Sequence, residues 1–298
     1  MLSHRTPLTL ILAAHLAFAG AVAADQPAPV APSDLVRRTV DHELAAATSD
    51  DRVMFLNRKE TIHGSQTKLM VETHDAMAGL LVAINGRPLS QQERQDEENR
   101  LRNLVQNPEE MRKKQGQEKE DEARIRRIIK ALPDAFLYEQ DGFESGRPGL
   151  GRAGEELVRL RMRPNPQYNP PSRVEQVLTG MQGSVLIDPR DNRIARIDVT
   201  LFKDVGFGWG ILGHLDRGGR FLVEQGEVIA GHWDITRMDL AFTGRVLLFK
   251  GLNIKQSEVS SDFRRVPPTL TFAQGVDLLK KQDAEMIAAE AAENNKSH

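Results

Sequence analysis

Six residues spell a nucleotide-binding pattern: Gly208-Trp209-Gly210-Ile211-Leu212-Gly213 matches G-x-G-x-x-G letter for letter. Those letters do chemistry only where the glycines open a helix whose N-terminal amides face a pyrophosphate. Here the next residues, His214-Leu215-Asp216-Arg217-Gly218-Gly219, read as a turn, and strand-like segments flank the motif on both sides. A glycine-rich connection between strands fits better. It carries Val205, Phe207, Trp209, Ile211 and Leu212, large apolar residues that either tuck under a sheet or touch an apolar ligand.

Other constellations fall short in the same way. Asp188-Pro189-Arg190-Asp191-Asn192 suggests a calcium loop but lacks the spaced carboxylates and the distal glutamate such loops need, so it reads as a polar hairpin turn. His42, His63, His74, His214, His232 and His298 form no H-x-H, H-x-x-x-H or H-E-x-x-H spacing. His63 and His74 fall on neighbouring candidate strands and could meet across a sheet, but two imidazoles make a poor metal site without a third ligand. There is no G-x-S-x-G elbow and no S-x-x-K motif. The chain contains no cysteine, which excludes a thiol nucleophile, disulfides and a lipidated N-terminal cysteine. No catalytic residue, metal or cofactor is therefore expected, and a non-enzymatic role is favoured over a hydrolase built on scattered carboxylates.

The elements around these motifs alternate helix and strand. Ser33 is placed to cap a first helix with Val36, Val40 and Leu44 on one stripe. Strands are expected over residues 52–62, 67–73 and 78–85, closed by an Asn85-Gly86-Arg87-Pro88 turn. Residues 89–132 read as a helical hairpin inserted in the domain. Ser90 with Glu93 forms a capping box, and Asn107-Pro108 restarts the helix. Between Ser90 and Lys130 stand eleven Lys/Arg and ten Asp/Glu, the mark of a solvated helical arm docked by its ends.

Strands follow over 135–140 and 155–162, and then a proline-rich crossing from Arg163 to Pro171 leads into a short helix capped by Ser172. The clearest hairpin pairs 184–188 with 193–202, and Ala195, Ile197, Val199 and Leu201 alternate with Arg196, Asp198 and Thr200, one face buried and one wet. Further strands over 220–223, 227–235, 238–250 and 253–263 make an antiparallel meander. A C-terminal helix and tail, 271–298, close the chain.

Composition bounds the setting. Of 298 residues, 40 are Lys or Arg and 42 Asp or Glu, a net charge of −2 that offers no general attraction for nucleic acid or anionic surfaces. Two Trp and two Tyr give no stacking platform for bases. Residues 1–24 read as a cleaved signal peptide: Arg5, an apolar run from Leu8 to Ala19, and small residues up to a cleavage point near Ala23 or Ala24. That run is shorter than the roughly 20 residues a membrane span needs. Residues 25–32 follow as a flexible leader, and 33–270 as one domain carrying the 89–132 insert. The expected product is a periplasmic protein with no stable membrane span.

Gly183 to Pro189 followed by Arg193 to Asp198 resembles the central hairpin of the periplasmic lipoprotein-carrier (LolA/LolB-like) half-barrel class. The Asn85-Gly86-Arg87-Pro88-Leu89 turn and the Pro164–Pro171 crossing are similar to those of a group of uncharacterised exported bacterial proteins. The resemblance implies an α+β fold: a curved antiparallel sheet, a half-open β-barrel, packed around helices, with a concave face that takes acyl chains. On that reading Val199, Leu201, Trp209, Phe221, Val223, Trp233, Phe242 and Leu248 are the candidate ligand-binding residues, and a lipid or lipoprotein acyl chain is the candidate partner. The alternative is an envelope protein-interaction or stress-sensing module that uses the charged hairpin to hold a protein partner.

Overall fold

A computed structural model describes residues 31–207, 213–246 and 250–296. The signal peptide read over 1–24 and most of the leader after it lie outside the described residues, as do Trp209, Leu248 and all but the last letter of the glycine motif. The helices are α1 (Pro32–Ala46), α2 (Gln91–Gln106), α3 (Pro108–Ala135), α4 (Arg173–Gln176) and α5 (Phe272–Lys296). The strands are β1 (Arg52–Thr61), β2 (Gly64–Val71), β3 (Ala78–Ile84), β4 (Arg87–Pro88), β5 (Phe136–Ser145), β6 (Glu156–Pro164), β7 (Met181–Asp188), β8 (Arg193–Leu201), β9 (Val205–Phe207), β10 (Gly213–Leu215), β11 (Arg220–Ile229), β12 (His232–Val246) and β13 (Lys250–Val266).

The strands form one open antiparallel sheet in the order β4-β3-β2-β1-β13-β12-β11-β8-β7-β6-β5, with β10 attached to β12 and β9 to β10. From β3 to β5 the path crosses nine strand gaps, about 43 Å at ~4.8 Å each. Yet one helix reaches both edges. Near its start, Glu118 of α3 accepts the Met77 N–H at the head of β3 (3.2 Å), and its last residue, Ala135, runs straight into β5. Seventeen residues at ~1.5 Å per residue span only about 26 Å. The sheet is therefore strongly curved, and α3 stands as the chord of its arc.

Two apolar cores hold this shape, and the register places them on opposite faces of the sheet. On the inner face, Leu35, Val36 and Val40 of α1 and Leu132 and Ala135 of α3 pack against Leu160, Met162, Val185, Ile187 and Val199. Tyr138 closes this core; its hydroxyl donates to the Leu132 carbonyl (2.8 Å), and burial pushes its pKa up. On the outer face, α5 and α2 cover the other end of the sheet, with Phe272, Val276, Leu279 and Leu101 against Met54, Leu69, Val71 and Leu80.

The charged hairpin 89–132 has a structural task at the edge of β3. Glu97 accepts the Leu81 N–H (2.8 Å), Arg100 donates to the Gly79 carbonyl (2.8 Å), and Glu118 takes the Met77 N–H. These are alternate backbone groups of one strand edge, which would otherwise invite another strand. The Ser90–Glu93 capping box forms as expected; bonds from Arg87 and the Ser90 backbone hold the Glu93 carboxyl down to about 2.

Several expectations need correction. Ser33 is not the cap of α1: the helix begins one residue earlier, at Pro32, with Ala31 as its uncapped N-terminus. A bulge opposite Leu186 and Ile187 makes Ala195 an extra residue, so it leaves the alternation and joins Leu150, Leu157 and Leu186 on the outer face. The four strands read from 220 to 263 are three longer ones. Gly226 is not a break but a close approach: a Cβ there would lie 2.7 Å from the Gly151 carbonyl. The turn falls at Gly231, whose φ is +77°. His63 and His74 flank opposite ends of β2 and do not meet.

Candidate functional site

Helices pack on β2 and β3 at one end of the sheet and on β5 and β8 at the other. Among the described residues no helix backbone runs close along β11, β12 or β13, and α5 reaches Met54 of β1 only on the outer face. Register fixes what the inner face shows there. Val223 stands opposite Met238, and Phe221 opposite Leu240, with Phe242 two residues on. All five are half-buried and form an apolar floor continuous with the inner core through Phe221.

One strand further the floor turns polar. Met238 is paired with Glu258 and Leu240 with Gln256, then Glu258 with Lys59 and Ser260 with Asn57, and finally Asn57 with Lys68 of β2. Lys59 bridges Glu258 at 3.1 Å, and the Asn57 amide donates to Ser260 at 3.2 Å. Lys68 is half-buried and has no hydrogen-bond or ion-pair partner among the described residues. Burial pushes its ammonium pKa down, Arg100, Lys59 and Lys114 push the same way, and Glu97 opposes. The inner face is thus a trough with an apolar end and a cationic end.

The sequence candidates distribute unevenly over this surface. Val199 and Leu201 are buried, at 3 % and 1 %, as part of the packed inner face. The void in the inner core under α1, lined by Val36, Val40, Val185 and Ile197 among others, is about 10 Å³, room for one water. Leu201 and Phe242 do come together, over Gly219, where a Cβ would sit 2.4 Å from the Phe242 ring. Phe221, Val223 and Phe242 lie on the trough floor. Trp233 does not join them. It stands at the far end of β12, with the Arg193 guanidinium 5.5 Å from its ring centroid. Met238 and Leu240 belong to the same floor, and the periodicity of β12 is the signal that marks them.

Two other clefts lie on the outer side. One, of about 380 Å³, runs over Arg220, Asp239, Lys255 and Ser257 beside the exposed Ile62. Its two acids are already engaged, Asp239 accepting from Arg237 (2.8 Å) and from the Ser257 hydroxyl (2.6 Å), and Glu60 paired with Arg58 (3.7 Å). The second, about 220 Å³, opens between β1 and the end of α5 at Gln282 and Met286. Among the described residues no three His, Asp or Glu side chains converge as a metal site would require, and no helix is long and apolar enough to cross a membrane.

No protein-family model and no curated protein matches the chain. Among solved structures, it is similar at 10 % identity to a domain from Vibrio parahaemolyticus described as that of an outer membrane lipoprotein-sorting protein. That likeness covers 82 % of this chain and 99 % of the other, with a TM-score of 0.30. A DUF1329 family protein from Desulfovibrio piger is similar at 12 % identity over 78 % of this chain and 91 % of its own, with a TM-score of 0.26. At these scores neither carries a function across.

Proposed function

We propose that the protein is a non-enzymatic binding or carrier protein of the bacterial envelope, which takes an apolar ligand such as a lipid or acyl chain on the inner face of β11 and β12. The observation that carries this reading is the floor of Phe221, Val223, Met238, Leu240 and Phe242, apolar and half-buried, with no helix backbone running close along it among the described residues. A core residue would be covered, and a surface strand of an antiparallel sheet would alternate toward polar side chains on this side. Contiguous apolar surface of this kind marks a ligand or partner site.

The test is direct. Protein recovered from its host envelope and examined by native mass spectrometry is expected to carry lipid. The Val223→Asp/Leu240→Asp double variant should keep its secondary structure and lose that mass. Wild-type protein free of lipid, or a double variant that retains it, would refute the assignment.

A further inference from the structure

We infer that the cationic end of the trough holds the phosphate-bearing head group of an anionic lipid, while the acyl chain lies along the apolar floor of β11 and β12. The inference rests on the trough reading above and specifies which lipid it takes. Four cations converge on this end. Lys68 and Lys59 stand on one face of the adjacent strands β2 and β1, with Asn57 opposite the first and two residues from the second. Arg100 reaches the same corner from α2, bonding the Gly79 carbonyl, and Lys114 from α3, whose partner Glu118 bonds Met77.

Three of the four already hold a carboxylate: Lys59 with Glu258 at 3.1 Å, Arg100 with Glu97 at 2.6 Å, and Lys114 with Glu118 at 2.7 Å. Lys68 holds none among the described residues. Lys68 is thus a half-buried ammonium without a carboxylate of its own, beside three cations that are each already paired, and an arriving anion would compensate it. The downward pressure of burial and of Arg100 on its pKa is the same statement in another form.

Distance fits the assignment. From Lys68 to the apolar floor of β12 the path crosses three strand gaps, roughly 14 Å at ~4.8 Å each, within the length of an acyl chain. A zwitterionic head group would bring its own ammonium among these cations and be disfavoured, so the site discriminates by repulsion as well as by attraction. The charged insert gains a role here, because α2 and α3 supply two of the four cations.

Calorimetric titration of the full chain with three probes tests this: palmitoyl-lysophosphatidylglycerol, palmitoyl-lysophosphatidylcholine and glycerol 3-phosphate. The anionic lipid is expected to bind about tenfold more tightly than the zwitterionic one, as a charge-assisted contact implies. Lys68→Met should bring the anionic lipid down to the zwitterionic level and leave the latter unchanged. Lys68→Arg should preserve the preference, and added salt should shrink it. Equal affinity of wild type for the two lipids would overturn the head-group site and leave the trough standing. Binding of neither lipid would overturn both. Glycerol 3-phosphate binding as tightly as the anionic lipid would make this a free-phosphate site and end the lipid assignment. An equal loss of both lipids in Lys68→Met, with a lowered melting temperature, would reduce Lys68 to a structural residue.

Discussion

Two charged residues deep in the fold carry consequences that sequence spacing could not indicate. Glu43, on α1 and only 9 % exposed, accepts from Arg193 Nε (3.1 Å), the Ile194 N–H (2.7 Å) and the Gln225 amide (2.7 Å), pinning the helix to β8 and β11. Glu43→Ala strands Arg193 in the interior and should destabilise the fold by about 3–5 kcal/mol in urea unfolding; Glu43→Gln, which keeps an acceptor, should lose less. His232 opens β12 among carboxylates that approach from three elements: Asp234 at 3.9 Å on its own strand, Asp51 at 3.8 Å before β1, and Glu72 after β2. Arg265 of β13 faces the same cluster through Asp51. Asp234 first, then Glu72 and Asp51, raise the imidazole above its ordinary 6.5 against its partial burial. A raised folded-state pKa means that the imidazolium's stabilisation is full below 6.5 and lost as pH climbs through the higher folded value. Thermal stability should therefore fall as pH rises above 6.5, and His232→Asn should flatten that slope. Burial also raises Glu72, so its ionisation lowers stability with rising pH too, in the acidic range above 4.5. An unchanged slope in the variant would remove His232 from this role. Of this cluster only Asp234 is near His232 in sequence; Asp51 and Glu72 are brought to it by the sheet order, which sets β13 between β12 and β1 with β2 beyond.

At the scale of elements, local chemistry was the readable part. The capping box at Ser90, the Asn107-Pro108 restart and the β7–β8 hairpin stand where side-chain spacing puts them. What failed is what glycine and alternation cannot express alone. Gly226 looks like a turn yet marks a backbone contact, and Ala195 looks like part of the inner alternation yet a bulge turns it into the small core on the other face. The charged hairpin was legible as docked at its ends, but not as the cover of a strand edge, since that depends on where β3 falls in the sheet. Its removal has a measurable cost. Glu97→Ala/Arg100→Ala leaves the Leu81 N–H and the Gly79 carbonyl open, and light scattering should register dimers or larger species where the parent is monodisperse. A double variant that stays monodisperse would show that the helices alone shield the edge.

At the scale of the molecule, strand periodicity and short turns show an antiparallel meander, the curved half-barrel is what the resemblance implies, and the extent of the trough is legible in neither. Of the sequence candidates, Val199 and Leu201 share their alternation with Phe221 and Val223, and only the position of α1 decides which pair is covered and which is left open. Lys68 gave no signal at all, being one of forty basic residues until register set it on the same face as the apolar floor, three strands away. The chord helix has a further implication. From Lys119 to Arg127 every residue of α3 is exposed, so this stretch is held by neither core. Nothing packs there to resist a change of length. Adding or deleting one helical turn would move the two margins of the arc apart or together by about 5.4 Å. The protein thus carries a ruler: the bore of the trough is set by the length of a segment outside its floor, and it can be regauged without altering a single floor residue.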